Sequence, residues 1–402
     1  MVRLTRIQQQ ARTRAAVLDA AVEEFAEHGY ADAKIDRIAA RADLTRGAVY
    51  SNFAGKRSLY LAVLLGYPQP QGWSMPAAEL PESVPVTTAV EGFARAWLEH
   101  LPLAGDTSAG GRLRSRSVTG VFDDEPGRAA LTAITRLEAL LLALALESCP
   151  PVATRRVRLA ELVLTLLHGA DHLADTAPGF GDLFDLTRAC AHLAGITLDD
   201  SWDPPHLPFV PPAELCDVPW EPADGITDDG LLVVLGTARL GAAEEVVRAA
   251  GPGDRVTVAV VSGDPAETGA LVRLRLTAMA ACLRQALPPG VARPLHIELD
   301  DGPALAAAVA ASSPGLAAQD DVRGDDTAAT ARGDVLGAAA EAAAGGGVFG
   351  DDDQVAAKVD ETEVAVRIRD GRVVARASGR GAGHAVAVAL RDGGTGGVDG
   401  RD

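Results

Sequence analysis

Thr45-Arg-Gly-Ala-Val-Tyr-Ser-Asn-Phe53 places a guanidinium, a phenol, two hydroxyls and an amide among residues too small to obstruct them. That set suits the edges of bases and the oxygens of phosphates. Arg46 can reach guanine O6 and N7, Asn52 can pair with adenine, and Tyr50 can meet a phosphate or a thymine methyl. Gly47, Ala48 and Ser51 keep the surface low enough for a helix to enter a groove about 12 Å wide. Thr45 suits an N-cap, since its hydroxyl can accept an orphan backbone N–H. Lys56, at the start of a following helix, adds charge where the helix dipole already attracts phosphate. Lys34, ahead of an earlier helix, is a further phosphate candidate. Plainer roles stand beside these: Tyr50 as packing, Arg46 as a solvated charge, Asn52 as no reader at all.

A second set lies downstream. His168 and His172 are four residues apart, with Asp171 and Asp175 alongside. Two imidazoles on one helical face can share a metal. The pattern is not H-E-x-x-H, however, and no third ligand is identifiable, so no metal is assigned. Trp97, His168, Asp171 and His172 are instead candidates for lining a small-molecule pocket; an aromatic at helical spacing such as Trp97 also serves as plain core.

These residues need helices to hold them. Leu18, Ala21, Val22 and Phe25 recur at i, i+3, i+4 and i+7, so Gln8 to His28 reads as one amphipathic helix stopped by Gly29. Ile35 to Ala42 and Arg46 to Phe53 are two short helices around a turn at Asp43-Leu44, and Lys56 to Leu65 is a fourth. Val49 and Phe53 should face the core, which turns Arg46, Gly47, Tyr50, Ser51 and Asn52 outward. Two short helices braced by a longer one make a helix-turn-helix.

The run from Ile35 to Lys56, with Ala20-Ala-x-x-x-Phe-Ala-x-x-Gly-Tyr30 before it, resembles the DNA-binding domain of TetR/AcrR-type repressors. The resemblance covers residues 12 to 65. Two positions depart from the family pattern. Lys34 stands where a capping Thr is usual, so a cap has to come from Asp32 or water; Asp43 stands for the usual turn Gly. The resemblance implies a homodimer that reads a pseudo-palindromic double-stranded operator, most often as a repressor, and is released by a small-molecule effector. It also implies that the last two helices of a helical domain form a four-helix dimer interface.

The expected fold is mainly α. A helix-turn-helix domain (1–66) and a helical ligand-binding and dimerisation domain (77–200) precede a Pro-rich linker or strap (201–227). A small α/β module follows (228–314), then an Ala/Gly/Asp-rich segment (315–402). In the helical domain, Val86 to His100, Pro126 to Leu146, Arg155 to Ala174 and Gly181 to Ala194 carry helical periodicity. Leu159, Leu162, Val163, Leu166 and Leu167 spread around one helix, which then needs burial on most sides. In the strap, Trp202, Phe209 and Trp220 argue for docking.

In the module, apolar runs at Leu231–Leu235, Arg255–Val261 and Pro294–Leu299 alternate with helices at Ala242–Ala250, Glu267–Leu287 and Pro303–Ala311, as in a parallel three-stranded layer. Asp370-Gly371 between alternating runs marks a hairpin, and His384 to Leu390 reads as one more strand. The last twelve residues read as disordered.

Composition bounds the functions. Through Arg57 there are ten Lys/Arg against seven Asp/Glu, a net of +3, while the remaining residues carry −21. A basic head on an acidic body fits local DNA contact and not a general nucleic-acid coat. Cys149, Cys190, Cys216 and Cys282 lie far apart, without the spacing of a zinc site or a disulfide framework. No signal peptide or long apolar run is visible, so a cytoplasmic protein without membrane contact is expected. Gly236-Thr-Ala-Arg-Leu-Gly241 has the end-glycine spacing of a phosphate loop, but Ala242-Ala243 replaces Lys-Ser/Thr. No nucleophilic set is arranged by spacing. The expectation is therefore a regulator with no catalytic residues and no cofactor. The alternatives are a DNA-tethered protein with a catalytic or nucleotide-binding C-terminal module, or a transcriptional activator.

Overall fold

The computed structural model of the chain describes residues 5–67, 83–101, 113, 115–153, 155–220, 229–288, 295–299 and 352–389. The helix expected at 303–311 and the last twelve residues lie outside these. The chain divides into two compact units. One comprises 1–131, 138–200 and 270–292; the other comprises 132–137, 201–269 and 293–402.

The first unit is helical. Its elements are α1 (Arg6–Asp32), α2 (Ile35–Arg41), α3 (Arg46–Tyr50), α4 (Lys56–Gly66), α5 (Val86–Leu98), α6 (Glu125–Glu147), α7 (Val157–Thr176) and α8 (Leu183–Leu193). Thr5 and Gln8 close a capping box at the start of α1, and Gly29 (φ 67°) breaks its regular path after His28. Phe25, Ile38, Val49, Phe53, Leu59 and Leu61 are buried and make the core of the head. Among the described residues α6 is long and apolar enough to cross a membrane, and most of that stretch is buried within the fold.

The second unit is built on a six-stranded sheet. In chain order it contains β1 (Glu214–Pro219), β2 (Gly230–Gly236), α9 (Ala242–Ala249), β3 (Val256–Val261), β4 (Leu295–Leu299), α11 (Asp352–Asp360), β5 (Glu363–Arg369), β6 (Arg372–Ser378) and α12 (Ala382–Val388). Between β3 and β4 the chain forms α10 (Ala270–Ala286). The strand order is β1-β6-β5-β2-β3-β4. β2, β3 and β4 are parallel, while β5, β6 and β1 extend the sheet in antiparallel fashion. The run Leu231–Leu235 is buried on both faces, as a parallel strand covered by helices must be. Leu232, Val234, Val364, Val366 and Ile368 pack with Trp220 and Val359 on one face. On the other, α9 and α12 meet closely: a Cβ on Gly383 would lie 2.0 Å from Val246 Cγ2.

Four sequence expectations change. The strap carries an edge strand, because Glu214 to Pro219 pair with β6 and Arg376 Nη2 donates to Glu214 Oε1 at 2.7 Å. The hairpin turning at Asp370 (φ 50°) and Gly371 (φ 68°) is not a separate segment but joins the module's sheet beside β2. Residues 382–388 are helical, not a strand; a short apolar run cannot be told from a buried helix by periodicity alone. Lastly, α10, read as a helix of the α/β module, groups with the helical unit and packs on α4 and α5.

Arg367 on β5 is the polar anchor of the second unit. Its Nη1 and Nη2 donate to Asp254 Oδ1 and Oδ2 at 3.0 Å, and Nη2 also donates to the carbonyl of Ala387 at the end of α12. A cation there also meets the negative end of the helix dipole. Arg367→Met should lower unfolding stability by roughly 2–4 kcal/mol, short of a fully enclosed pair because Asp254 keeps some solvent contact. Urea denaturation of the two chains checks this.

Candidate nucleic-acid interface

The head orients its recognition surface through a buried carboxylate. Glu24 on α1 is fully enclosed. Its Oε1 accepts the backbone N–H of Lys34 at 3.0 Å and the Nε–H of Arg37 at 2.6 Å, and Arg41 Nε stands 3.4 Å from its other oxygen. Burial raises the Glu24 pKa, and the hydrogen bonds from Arg37 and Lys34 outweigh it, leaving the carboxyl below its ordinary range. This arrangement ties the start of α2 through the N–H of its N-cap residue, Lys34. The Lys34 side chain makes no capping bond. The Asp32 carbonyl accepts Arg37 Nη2 at 2.7 Å, which adds a second tie at the same helix start. Asp43 takes the turn position at φ 53°, a left-handed conformation that a short polar residue tolerates.

On α3, the Thr45 hydroxyl accepts the N–H of Ala48 at 3.2 Å. Val49 and Phe53 are buried, so Arg46, Gly47, Tyr50 and Ser51 face outward. A Cβ on Gly47 would approach only Thr45 Oγ1, at 3.8 Å, which leaves the outer surface clear. The Arg46 guanidinium lies 5.5 Å from the centre of the Tyr50 ring, 3.4 Å from the Tyr50 hydroxyl and 3.4 Å from Asp36. The hydrogen bond to Tyr50, then the charge of Asp36, raise its pKa. The pair forms a polar, aromatic tip held off the helix surface.

Two candidates sit differently from expectation. Asn52 is half-buried, and its amide donates to the carbonyl of Ala48 at 2.8 Å, so a base contact requires it to leave its own helix. Lys56 turns inward: Nζ donates to the Ala31 carbonyl at 3.0 Å and lies 4.7 Å from the centre of the Tyr30 ring. Burial lowers its pKa. Lys56 thus braces the turn ahead of α2, whereas Lys34 is exposed. Sequence reasoning missed Arg14, whose guanidinium lies 4.2 Å from the centre of the Phe53 ring and donates to the Asn52 carbonyl. Nothing local marks this contact, since 38 positions separate the two residues.

In the helical unit the structure brings together three of the four effector candidates. Trp97 Nε1 donates to both Asp171 oxygens at 3.1 Å, and the Trp97 and His168 rings meet edge to face at 5.1 Å. His168 Nδ1 faces Asp171 at 3.4 Å, and its Nε2 lies 2.8 Å from Arg275 Nη2 and 3.7 Å from Glu138 Oε2; burial lowers its pKa, and the hydrogen bonds to Asp171 and Glu138 outweigh it, leaving the imidazole above its ordinary range. His172 is exposed on another side of α7. Arg275 grips Glu138 with two bonds, Nε to Oε1 at 2.8 Å and Nη2 to Oε2 at 2.5 Å. Neither residue was legible as a partner, since 137 positions separate them. Among the described residues no group of three or more His, Cys, Asp or Glu side chains is placed to hold a metal. Cys282 is buried, and its thiol is pushed up to about 12 by that burial.

In the sheet unit, the Gly236–Gly241 segment is occupied by its own chain. Thr237 Oγ1 donates to Asp360 Oδ1 at 2.7 Å, and a Cβ on Gly236 would lie 2.3 Å from the Asp360 and Val359 carbonyls.

Burial pushes the Glu138 pKa up, but the Arg275 charge and the His168 and Arg275 hydrogen bonds dominate and hold it at about 2. A carboxyl depressed in the folded state stabilises the fold above its unfolded value, near ~4.3, and loses that contribution as pH falls toward 2. The melting-temperature gap between the native chain and Glu138→Gln should therefore be widest near neutral pH and close steadily below pH ~4. Thermal melts across that range check it.

The comparisons with known proteins fall on the head. Residues 17–63 match the family described as bacterial regulatory proteins, tetR family. The chain is 47% identical over 58 residues to the HTH-type transcriptional regulator SrpR of Pseudomonas putida, a stretch covering 14% of this chain and 27% of that protein. It is also 47% identical over 58 residues to the HTH-type transcriptional regulator TtgW of Pseudomonas putida, covering 14% and 43%. It is 46% identical over 52 residues to the HTH-type transcriptional repressor SCO4008 of Streptomyces coelicolor, covering 13% and 27%. The matched stretch thus spans less than half the length of each of these relatives. The capped, outward-facing α3 and the match agree: the N-terminal head of this chain is a helix-turn-helix DNA-binding domain of the tetR family of bacterial regulatory proteins.

Proposed function

We propose that the chain is a ligand-responsive transcriptional regulator that binds a pseudo-palindromic operator as a homodimer and acts as a repressor released by a small-molecule effector. The observation that carries this reading is the outer face of α3. Thr45 caps the helix, Val49 and Phe53 anchor it, and Arg46, Gly47, Tyr50 and Ser51 are left to meet a major groove. Arg46 reads a base edge, Tyr50 supports its guanidinium, and Lys34 meets phosphate. The relative named a repressor supports that direction of control.

Two-fold pairing finds support in α7 and α8. Leu159, Val163 and Leu167 are buried within the protomer, but Leu162, Leu166, Gly169 and Leu173 follow one another along the other side of α7 in exposed or half-exposed positions. Phe180 is 71% exposed and Phe184 82% exposed next to that stripe in sequence. A second copy would cover these rings, and two-fold symmetry would place two recognition helices on successive half-sites. The effector acts at Trp97, His168 and Asp171, where aromatic and polar groups converge. No catalytic step is assigned to the sheet unit, whose glycine-rich turn is filled by Asp360.

Arg46→Ala should weaken binding to the operator about five- to 150-fold and relax selectivity at one base pair in each half-site. Lys34→Ala should weaken all sequences alike and flatten the salt dependence by about one ion. Equilibrium titrations of labelled duplexes at several salt concentrations separate the two behaviours. Unchanged affinity in Arg46→Ala would remove it from the reading face.

A further inference from the structure

Helix α10 stands between two parallel strands in sequence, yet its side chains belong to the helical unit, against α4 and α5. The approach is close: a Cβ on Gly92 of α5 would lie 3.4 Å from the Cα of Ala286. From α10, Arg275 enters the interior formed by α5, α6 and α7 and takes the fully buried carboxylate of Glu138 in a two-point grip. Beside it stands His168, whose Nε2 lies 2.8 Å from Arg275 Nη2 and whose Nδ1 faces Asp171 at 3.4 Å. Asp171 adds a second negative charge that acts on the guanidinium. This interior recognises a cation, and a planar forked one matches its acceptors best.

The same helix bears on α4, which follows the recognition helix after only a short turn. α4 is also tied to the helical domain at its first turn, where Arg57 pairs with Asp124 at 2.5 Å at the cap of α6, and by Tyr60, whose hydroxyl donates to the Ser117 carbonyl at 2.8 Å. A change in the seating of α10 therefore reaches the segment that sets the angle of the head.

We propose that the polar interior of the helical domain is a cation site whose resident occupant is the chain's own Arg275, and that its seating on Glu138 holds α10 against α4 and keeps the head in its DNA-binding setting. The proposal rests on the DNA-binding reading above and gives its effector a class: a guanidinium- or amidinium-bearing molecule that takes Arg275's place. Removing the arginine alone strands a buried carboxylate, whereas replacing both partners with apolar side chains removes the defect together with the site.

The test uses the full chain, its selected operator, and two additives of similar shape, ethylguanidinium and neutral N-ethylurea, at matched ionic strength. Arg275→Ala should bind the operator about tenfold more weakly than the native chain, or worse. Ethylguanidinium should raise the melting temperature of Arg275→Ala without recovering operator affinity, because it neutralises Glu138 but does not tie α10; it should also weaken operator binding by the native chain, and N-ethylurea should do neither. The double variant Glu138→Leu with Arg275→Met should keep affinity within about threefold of native and ignore both additives. Where Arg275→Ala does not fold, Arg275→Lys, which keeps the charge and loses the fork, should show a smaller loss of affinity. Native affinity in a folded Arg275→Ala, or equal responses to the two additives, would overturn the proposal. If the native chain selects no operator, the DNA-binding reading fails, and the melting-temperature comparison still decides the cation site.

Discussion

A carboxylate taken fully out of water must be met by cations or give up its charge, and in this chain the enclosed Glu138 carries that constraint deepest. Desolvation pushes it toward neutrality, and only the guanidinium of Arg275, with His168 beside it, holds it ionised. The same rule recurs in each unit. Glu24 collects Arg37, Arg41 and the N–H of Lys34 in the head, while Glu363 meets Arg239 and Asp254 meets Arg367 in the sheet unit. With only 4% aromatic residues and a core of Ala, Val and Leu, the chain has few large side chains to fix a unique packing. Directional arginine–carboxylate forks supply that selectivity, because a displaced fork leaves a charge unmet.

The head shows how such a contact reaches function. Glu24 lies on the supporting helix and touches no outward-facing residue of α3. It fixes the start of α2, the helix that leads through the turn at Asp43 into α3. The aromatic cluster of Phe25, Tyr30 and Tyr60 continues the same support into α4. Binding chemistry at the tip thus depends on electrostatics one layer below it.

What was legible in the sequence follows from the range of the interactions. Local signals gave the head nearly whole: the i, i+3, i+4 stripe of α1, the Thr45 cap, the inward Val49 and Phe53. The Asp-Gly hairpin and the parallel apolar runs were equally local. Contacts between distant positions were not readable. Nothing near Glu24 marks it as the acceptor for Lys34, and nothing near Arg275 marks it as the partner of Glu138. Lys56 shows the same limit, since its place at a helix start suggested phosphate and the folded chain also offers its ammonium a carbonyl and a ring. The seating of α10 could not be inferred because a helix between two strands is ordinarily spent on its own sheet.

Because α10 contributes to the helical unit, a fragment ending at residue 200 would lack Arg275, and the full chain is the right material for testing what the head does. The most direct measurement is selection of bound duplexes from a random library by the intact protein. The account predicts enrichment of an inverted repeat whose half-sites lie one helical turn apart, or a multiple of it, and loss of one defined base preference per half-site in Arg46→Ala. Recovery of no consensus, or of a single unpaired half-site that Arg46→Ala reads equally well, would contradict it.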